Sequence, residues 1–137
     1  MDLRVERFPE GTRTAQDAAR AVGCELGQIV KSLVFCAGER AVVALVSGSN
    51  RLDEARLGML VGAEVERATP EEVRSATGYA IGGVPPFGHV RALPVFMDAD
   101  LLAFDEVWAA AGRPDAVFRI DPRRLVELSG ATVALMH

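Results

Sequence analysis

Hydrophobic and polar positions along this chain follow two rhythms. Residues 28–37, QIVKSLVFCA, and 40–47, RAVVALVS, are apolar, β-branched runs separated by Gly38-Glu39, which predicts a β-hairpin. The longest unbroken apolar run, Ala41–Val46, is strand-sized and far short of a bilayer span. Helices are marked by their ends. TAQDAARAVG, 14–23, offers Thr14 as N-cap, Asp17 where a capping box usually carries Glu, and Gly23 at the left-handed C-terminal position. LDEARLGMLVG, 52–62, runs from Asp53 to Gly62. TPEEVRSATG, 69–78, has a Thr69 cap, Pro70 at the first position, acids in the first turn and a closing Gly78. DPRRLVELSG, 121–130, repeats the Asp-Pro start and closes on Gly130.

The remaining segments read as short strands. These are EVERA (64–68), VRALPVFMD (90–98), EVWAAAG (106–112), AVFRI (116–120) and ATVALM (131–136), with ADLLAF (99–104) and RPD (113–115) as turns. Strands outnumber helices, and helices intervene between only some strand pairs. That predicts an α+β or mixed-sheet domain, not a doubly wound one. No repeat or linker interrupts the pattern, so residues 1–137 are expected to form one domain.

One position breaks the strand rhythm. Lys31 is the only lysine in the chain, and the other fourteen basic residues are arginine. Strand alternation puts it on one face with Ile29, Leu33 and Phe35, and Val30, Ser32, Val34 and Cys36 on the other. Such an amine either snorkels to water or sits at a pocket floor. A compact, tunable amine that donates in several directions is what arginine cannot replace.

A second irregularity is the loop GYAIGGVPPFGH, 78–89. Its glycine spacing fits neither a dinucleotide fingerprint nor a P-loop. Gly82 and Gly83 let a ligand approach the backbone, while Pro85 and Pro86 are stiff and carry no N–H. Amides of Gly82, Gly83 and Val84 could face an oxygen. The bland reading is a tight structural turn. His89, directly after the loop, is either a satisfied structural side chain or part of a site.

Composition narrows the field. Net charge is −4 with 25% charged residues, which argues against broad nucleic-acid binding but not against contact with one nucleic-acid end. The N-terminus MDLRVERFPEG has no apolar leader core. Cys24 and Cys36 form no CxxC, and His89 and His137 are the only histidines. Free thiols, no zinc site and a cytoplasmic location are therefore expected. There is no GxSxG and no recognisable Cys-His pair.

QIVKSLVF, SGSNRLDEARL, TGYAIGGVPPFGH, LPVFMDADLL and AAAGRPDAVFRIDPRRLVELSGA follow in an order that resembles the YbaK/prolyl-tRNA-synthetase-associated editing domains over residues 14–135. The resemblance implies a mixed, curved, partly barrel-like sheet with surrounding helices. It also implies hydrolysis of the ester on a mischarged tRNA, Ala- or Cys-tRNA(Pro) foremost and Ser or Thr esters as further options. The family's essential lysine falls on Lys31 and its GxxxP loop on Gly82–Pro86. Ser47, Gly48, Ser49 and Asn50 stand where many members have a Pro-Gly-Asp turn, which leaves amino-acid specificity open. The module is expected to be free-standing, without cofactor, metal or membrane. Its partners would be the aminoacylated acceptor end and, transiently, a synthetase, with the protein a monomer or homodimer. Lys31 and the Gly82–Val84 amides are the catalytic candidates, Pro86, His89 and 47–50 the substrate-binding ones. Arg51, Arg56, Arg123 and Arg124 are candidates for tRNA contact, or else solvated surface charges. The alternative is a non-catalytic module that binds an acceptor end, a nucleotide or a small amino acid.

Overall fold

The computed structural model describes residues 5–7, 14–113 and 115–137. Residues 1–4 and 8–11, on which the reading of the N-terminus partly rests, and Pro114 of the 113–115 turn lie outside them. The elements run β1 (Val5–Arg7), α1 (Ala15–Val22), a 3-10 turn (Leu26–Gln28), β2 (Val30–Ala37), β3 (Arg40–Ser47), α2 (Glu54–Val61), β4 (Glu66–Arg67) and α3 (Pro70–Thr77). They continue with β5 (Val95–Asp98), a 3-10 segment (Ala99–Ala103), β6 (Val107–Ala110), β7 (Ala116–Ile120), α4 (Pro122–Ser129) and β8 (Thr132–Ala134). Five strands form one sheet in the order β4-β2-β3-β5-β8, and three form another, β1-β7-β6. This is the expected α+β class with a mixed sheet: β2–β3 is antiparallel, while β3–β5 and β5–β8 are parallel. The two sheets approach at a bridge between Ile29 and Trp108 without closing into a barrel.

The helix ends behave as their residues predict. Thr14, Asp53, Thr69 and Asp121 each accept a backbone N–H at an N-terminus, and Thr69 and Glu72 complete a reciprocal capping box. All four helices stop on a glycine with positive φ. The hairpin turns through Gly38 at φ +65°, between the paired residues Ala37 and Arg40.

The strands deviate more. Only Val95–Asp98 of residues 90–98 and Val107–Ala110 of 106–112 are paired, and 99–103 is a 3-10 turn. Pro94, which has no N–H, immediately precedes β5. Strand β1 has no counterpart in the sequence reading, because Val5–Arg7 is exposed and carries no apolar alternation. Its strand character comes from pairing with β7.

Strand β3 explains the longest apolar run. Val43 and Leu45 point into the core between the sheets with Val73, Val107, Phe118 and Leu125. Val42, Ala44 and Val46 pack on the opposite face with Phe35, Leu57 and Met136. A strand covered on both faces has no reason to alternate with polar residues. Ile29 departs from its expected face. It ends the 3-10 turn and packs with Ala18, Ala19, Trp108 and Val117, not with Leu33 and Phe35. Leu45, fully buried at the sheet's centre, should cost about 2–5 kcal/mol on Leu45→Ala, measured by urea unfolding; a loss below about 1 kcal/mol would contradict this packing.

Candidate functional site

The sheet leaves one strand edge partly open. On the side away from β3, β4 pairs only with Phe35 and Cys36 of β2. The bond from Ala68 N–H to the Val34 carbonyl shows that even-numbered residues of β2 direct their backbone polar groups to that side. No strand among the described residues extends the pairing to 31–33. A cleft of about 350 Å³ occupies this gap. Its walls are the start of α1, residues 29–33, β6 from Trp108 to Ala110, β7, and the loop at Ile81, Gly82 and Val84. Lys31 and loop residues Gly82 and Val84 therefore share one cavity.

Lys31 lies opposite Val46, on the face of Leu33 and Phe35. Its ammonium does not simply reach water: Nζ donates to the Asn50 carbonyl at 2.6 Å. Partial burial pushes the Lys31 pKa below the ordinary lysine value, and the Arg67 charge pushes the same way, while Asp98 opposes both.

The turn 47–50 holds that carbonyl in place. Asp98, fully buried at the end of β5, accepts from the Ser47 N–H at 3.1 Å, the Asn50 side-chain amide at 2.8 Å and the Asp100 N–H at 3.0 Å. The Ser47 hydroxyl donates to the Gly27 carbonyl at 2.7 Å and lies 3.3 Å from the Ser49 hydroxyl. The Gly48 N–H reaches the Ile29 carbonyl at 2.7 Å. A Cβ on Gly48 would run into the Leu26 carbonyl oxygen, so only glycine fits there without a backbone shift. Residues 47–50 thus support Lys31 from behind and do not line the cleft.

Internal bonds shape the loop 78–90. Val90 N–H returns to the Thr77 carbonyl at 3.0 Å, and Gly83 N–H to the Ala80 carbonyl at 3.0 Å. His89 Nε2 donates to the Pro85 carbonyl at 2.7 Å, and Phe87 packs edge-on against Phe118 with ring centroids 5.8 Å apart. His89 and the buried Pro86 therefore sit outside the cleft lining, and His89 clips the loop. The Gly83 amide is already committed, whereas Gly82, at φ +86°, and Val84 border the cavity. A Cβ on Gly83 would stand 3.0 Å from the Arg113 backbone, so that glycine is dictated by packing.

Two cleft residues escaped the sequence reading. Ser32 Oγ is buried without a hydrogen-bond partner, a state that costs roughly 1–3 kcal/mol. Arg67 joins Lys31 as a charged side chain of the lining, and no carboxylate is among the described lining residues. Isolated polar residues in strands carry no periodic signal, and only pairing shows where they meet. Arg51, Arg56, Arg123 and Arg124 are exposed and outside the cleft; Arg123 pairs with Asp121 at 3.6 Å. Cys24 and Cys36 are free thiols. No helix among the described residues is long and apolar enough to cross a membrane.

Comparison with known proteins matches residues 9–128 to the model of the "Aminoacyl-tRNA editing domain" family. A Bacillus subtilis (strain 168) relative, "Uncharacterized protein YwhH", is 31% identical over 130 residues, covering 94% of this chain and 83% of that one. An Enterococcus faecalis relative named "Putative Cys-tRNA(Pro)/Cys-tRNA(Cys) deacylase EbsC" is 26% identical over 129 residues, 93% of this chain and 79% of that one. A crystal structure described as "a putative trans-editing enzyme for prolyl tRNA synthetase" superposes with a TM-score of 0.94 at 56% identity, covering 98% of this chain and 85% of that one.

Asp98→Ala strands the Ser47 amide and releases Asn50, and should lower stability by about 3 kcal/mol in chemical denaturation; an unchanged midpoint would show that the buried carboxyl organises nothing. The single lysine gives one unambiguous side-chain amine signal. In an NMR titration Lys31 should lose its proton at lower pH than an exposed lysine, and Arg67→Gln should move that midpoint upward, because a repelling charge is removed. A midpoint at or above the ordinary lysine value would contradict the downward shift.

Proposed function

The chain belongs to the aminoacyl-tRNA editing domain family, and from that premise we propose that it is a deacylase acting in trans on mischarged tRNA. The observation that carries this reading is the meeting of Lys31 with Gly82 and Val84 in one cleft. An aminoacyl ester is already activated, so its hydrolysis needs positioning and charge stabilisation more than a strong nucleophile. Water adds to the ester carbonyl, the bond to the ribose oxygen breaks, and the water's proton ends on the ribose hydroxyl. Free amino acid and uncharged tRNA leave. In a cysteinyl ester the substrate thiol could attack its own carbonyl instead, giving its proton to the departing ribose oxygen and leaving as a cyclic thioester that water then opens to free cysteine.

The Gly82 and Val84 amides would face the oxyanion, since Gly83 N–H is spent on Ala80. Preorganised donors of this kind are worth about 10²–10³ in rate each. Lys31, anchored on the Asn50 carbonyl, would direct its remaining N–H groups at the ester or the ribose. The cleft volume of about 350 Å³ suits a small ligand group. Ala and Cys esters of tRNA(Pro) are the proposed substrates; the name of the E. faecalis relative supports Cys on tRNA(Pro), and the description of the superposed structure supports a link to prolyl-tRNA synthetase; Ser and Thr esters follow.

A panel of Ala-, Cys-, Ser- and Thr-charged tRNAs tests the proposal. The wild-type protein should deacylate at least one. Lys31→Ala should lose about 10²-fold or more in rate while its circular dichroism stays native. Full activity in that variant would remove Lys31 from the mechanism, and inertness across the panel would favour the non-catalytic binding module.

A further inference from the structure

The cleft's charge is opposite to that of the chain around it. The protein carries net charge −4, yet the charged side chains among the described cleft residues are Lys31 and Arg67, both cations. The strand register explains their meeting. Arg67 stands opposite Phe35, so it shares the face on which Phe35, Leu33 and Lys31 alternate. Roughly 13 Å of strand separates Lys31 from Phe35, a span that two long side chains can close over Leu33. The adjacent carboxylate, Glu66, is paired with Cys36 and so points to the other face.

Arg67 is also held ready. Its guanidinium carbon lies 5.7 Å from the centre of the Phe35 ring, a packing that leaves edge N–H groups available for a bidentate partner. The ion pairs found among the described residues do not include it. Arg67 is exposed, while Lys31 is half-buried and tied to Asn50, so the guanidinium forms the outer, entry side of the cleft.

We propose that Arg67 is the phosphate-binding residue of this cleft and grips the phosphate on the 5′ side of the terminal adenosine, leaving Lys31 to the ribose and the ester. Assigning that phosphate to a tRNA end rests on the deacylase reading; the anion subsite itself does not. Bound phosphate would also neutralise the repulsion between the two cations, and a planar fork suits a phosphate better than a point charge does.

Calorimetry with adenosine 5′-monophosphate and adenosine tests this directly. The wild-type protein should bind the nucleotide about tenfold or more tighter than the nucleoside. Arg67→Gln should erase that preference while leaving adenosine binding intact, and Arg67→Lys should restore part of it. On a mischarged tRNA that the wild-type protein hydrolyses, Arg67→Gln should raise KM about tenfold with kcat nearly unchanged. A wild-type protein without the preference, or a preference that survives in Arg67→Gln, overturns the subsite. An Arg67-dependent preference in a protein that hydrolyses no mischarged tRNA would leave the subsite standing and remove the deacylase reading.

Discussion

A carboxyl group taken entirely out of water must be given hydrogen-bond donors, and the way Asp98 is supplied sets the geometry of the cleft. Its donors are the Ser47 amide at the end of β3, the Asp100 amide in the next turn, and the Asn50 side chain. Together they fasten the ends of two parallel neighbours to the turn that follows one of them. Asn50 is thereby oriented so that its carbonyl meets the Lys31 ammonium at 2.6 Å. Asp100 is drawn in as well: the Asn50 amide holds its carboxyl below the usual carboxylate range, and His137 adds to the effect. A single buried group thus connects the sheet's interior to the one lysine in the chain.

The second condition is an incompleteness. A sheet edge is normally paired, covered or defended by charge. Here β4 covers two residues of β2 and then turns into α3. What remains of the edge is faced by the loop 78–90 and by β6, at a distance that leaves a cavity. The loop keeps its shape through Thr77, His89 and Phe87, none of which lines the cavity. From the loop, Ile81, Gly82 and Val84 are left to border it, and the contacts that fix them sit behind.

Much of this was legible in the residues, and the parts that were not share a cause. Helix ends are local events: Thr69 and Glu72 can be read as a pair because the bond that joins them spans three residues. The hairpin is equally local. Lys31 stood out as a charge on an apolar strand, and Gly82–Pro86 as a loop with unusual backbone freedom. The role of the turn 47–50 was harder to see, since it acts through a carbonyl and through Asp98, which is distant in sequence. Arg67 lies on a strand of two residues, and only its register with Phe35 sets it beside Lys31. Strand β1 is defined by its partner alone. Gly83 was noticed for its backbone freedom, but its φ is not positive and it is the nearby Arg113 backbone that leaves no room for a Cβ.

Asn50 is divided between two duties: its side chain belongs to the network of acids beneath the turn, and its carbonyl to the lysine above it. In a mutational scan such a residue would score as catalytic through the lysine it holds, because trimming its amide frees the carbonyl to wander. The lysine's true partner, a main-chain oxygen, is one that no substitution can delete. Residue-by-residue maps of importance would therefore draw the boundary of this site one layer too deep.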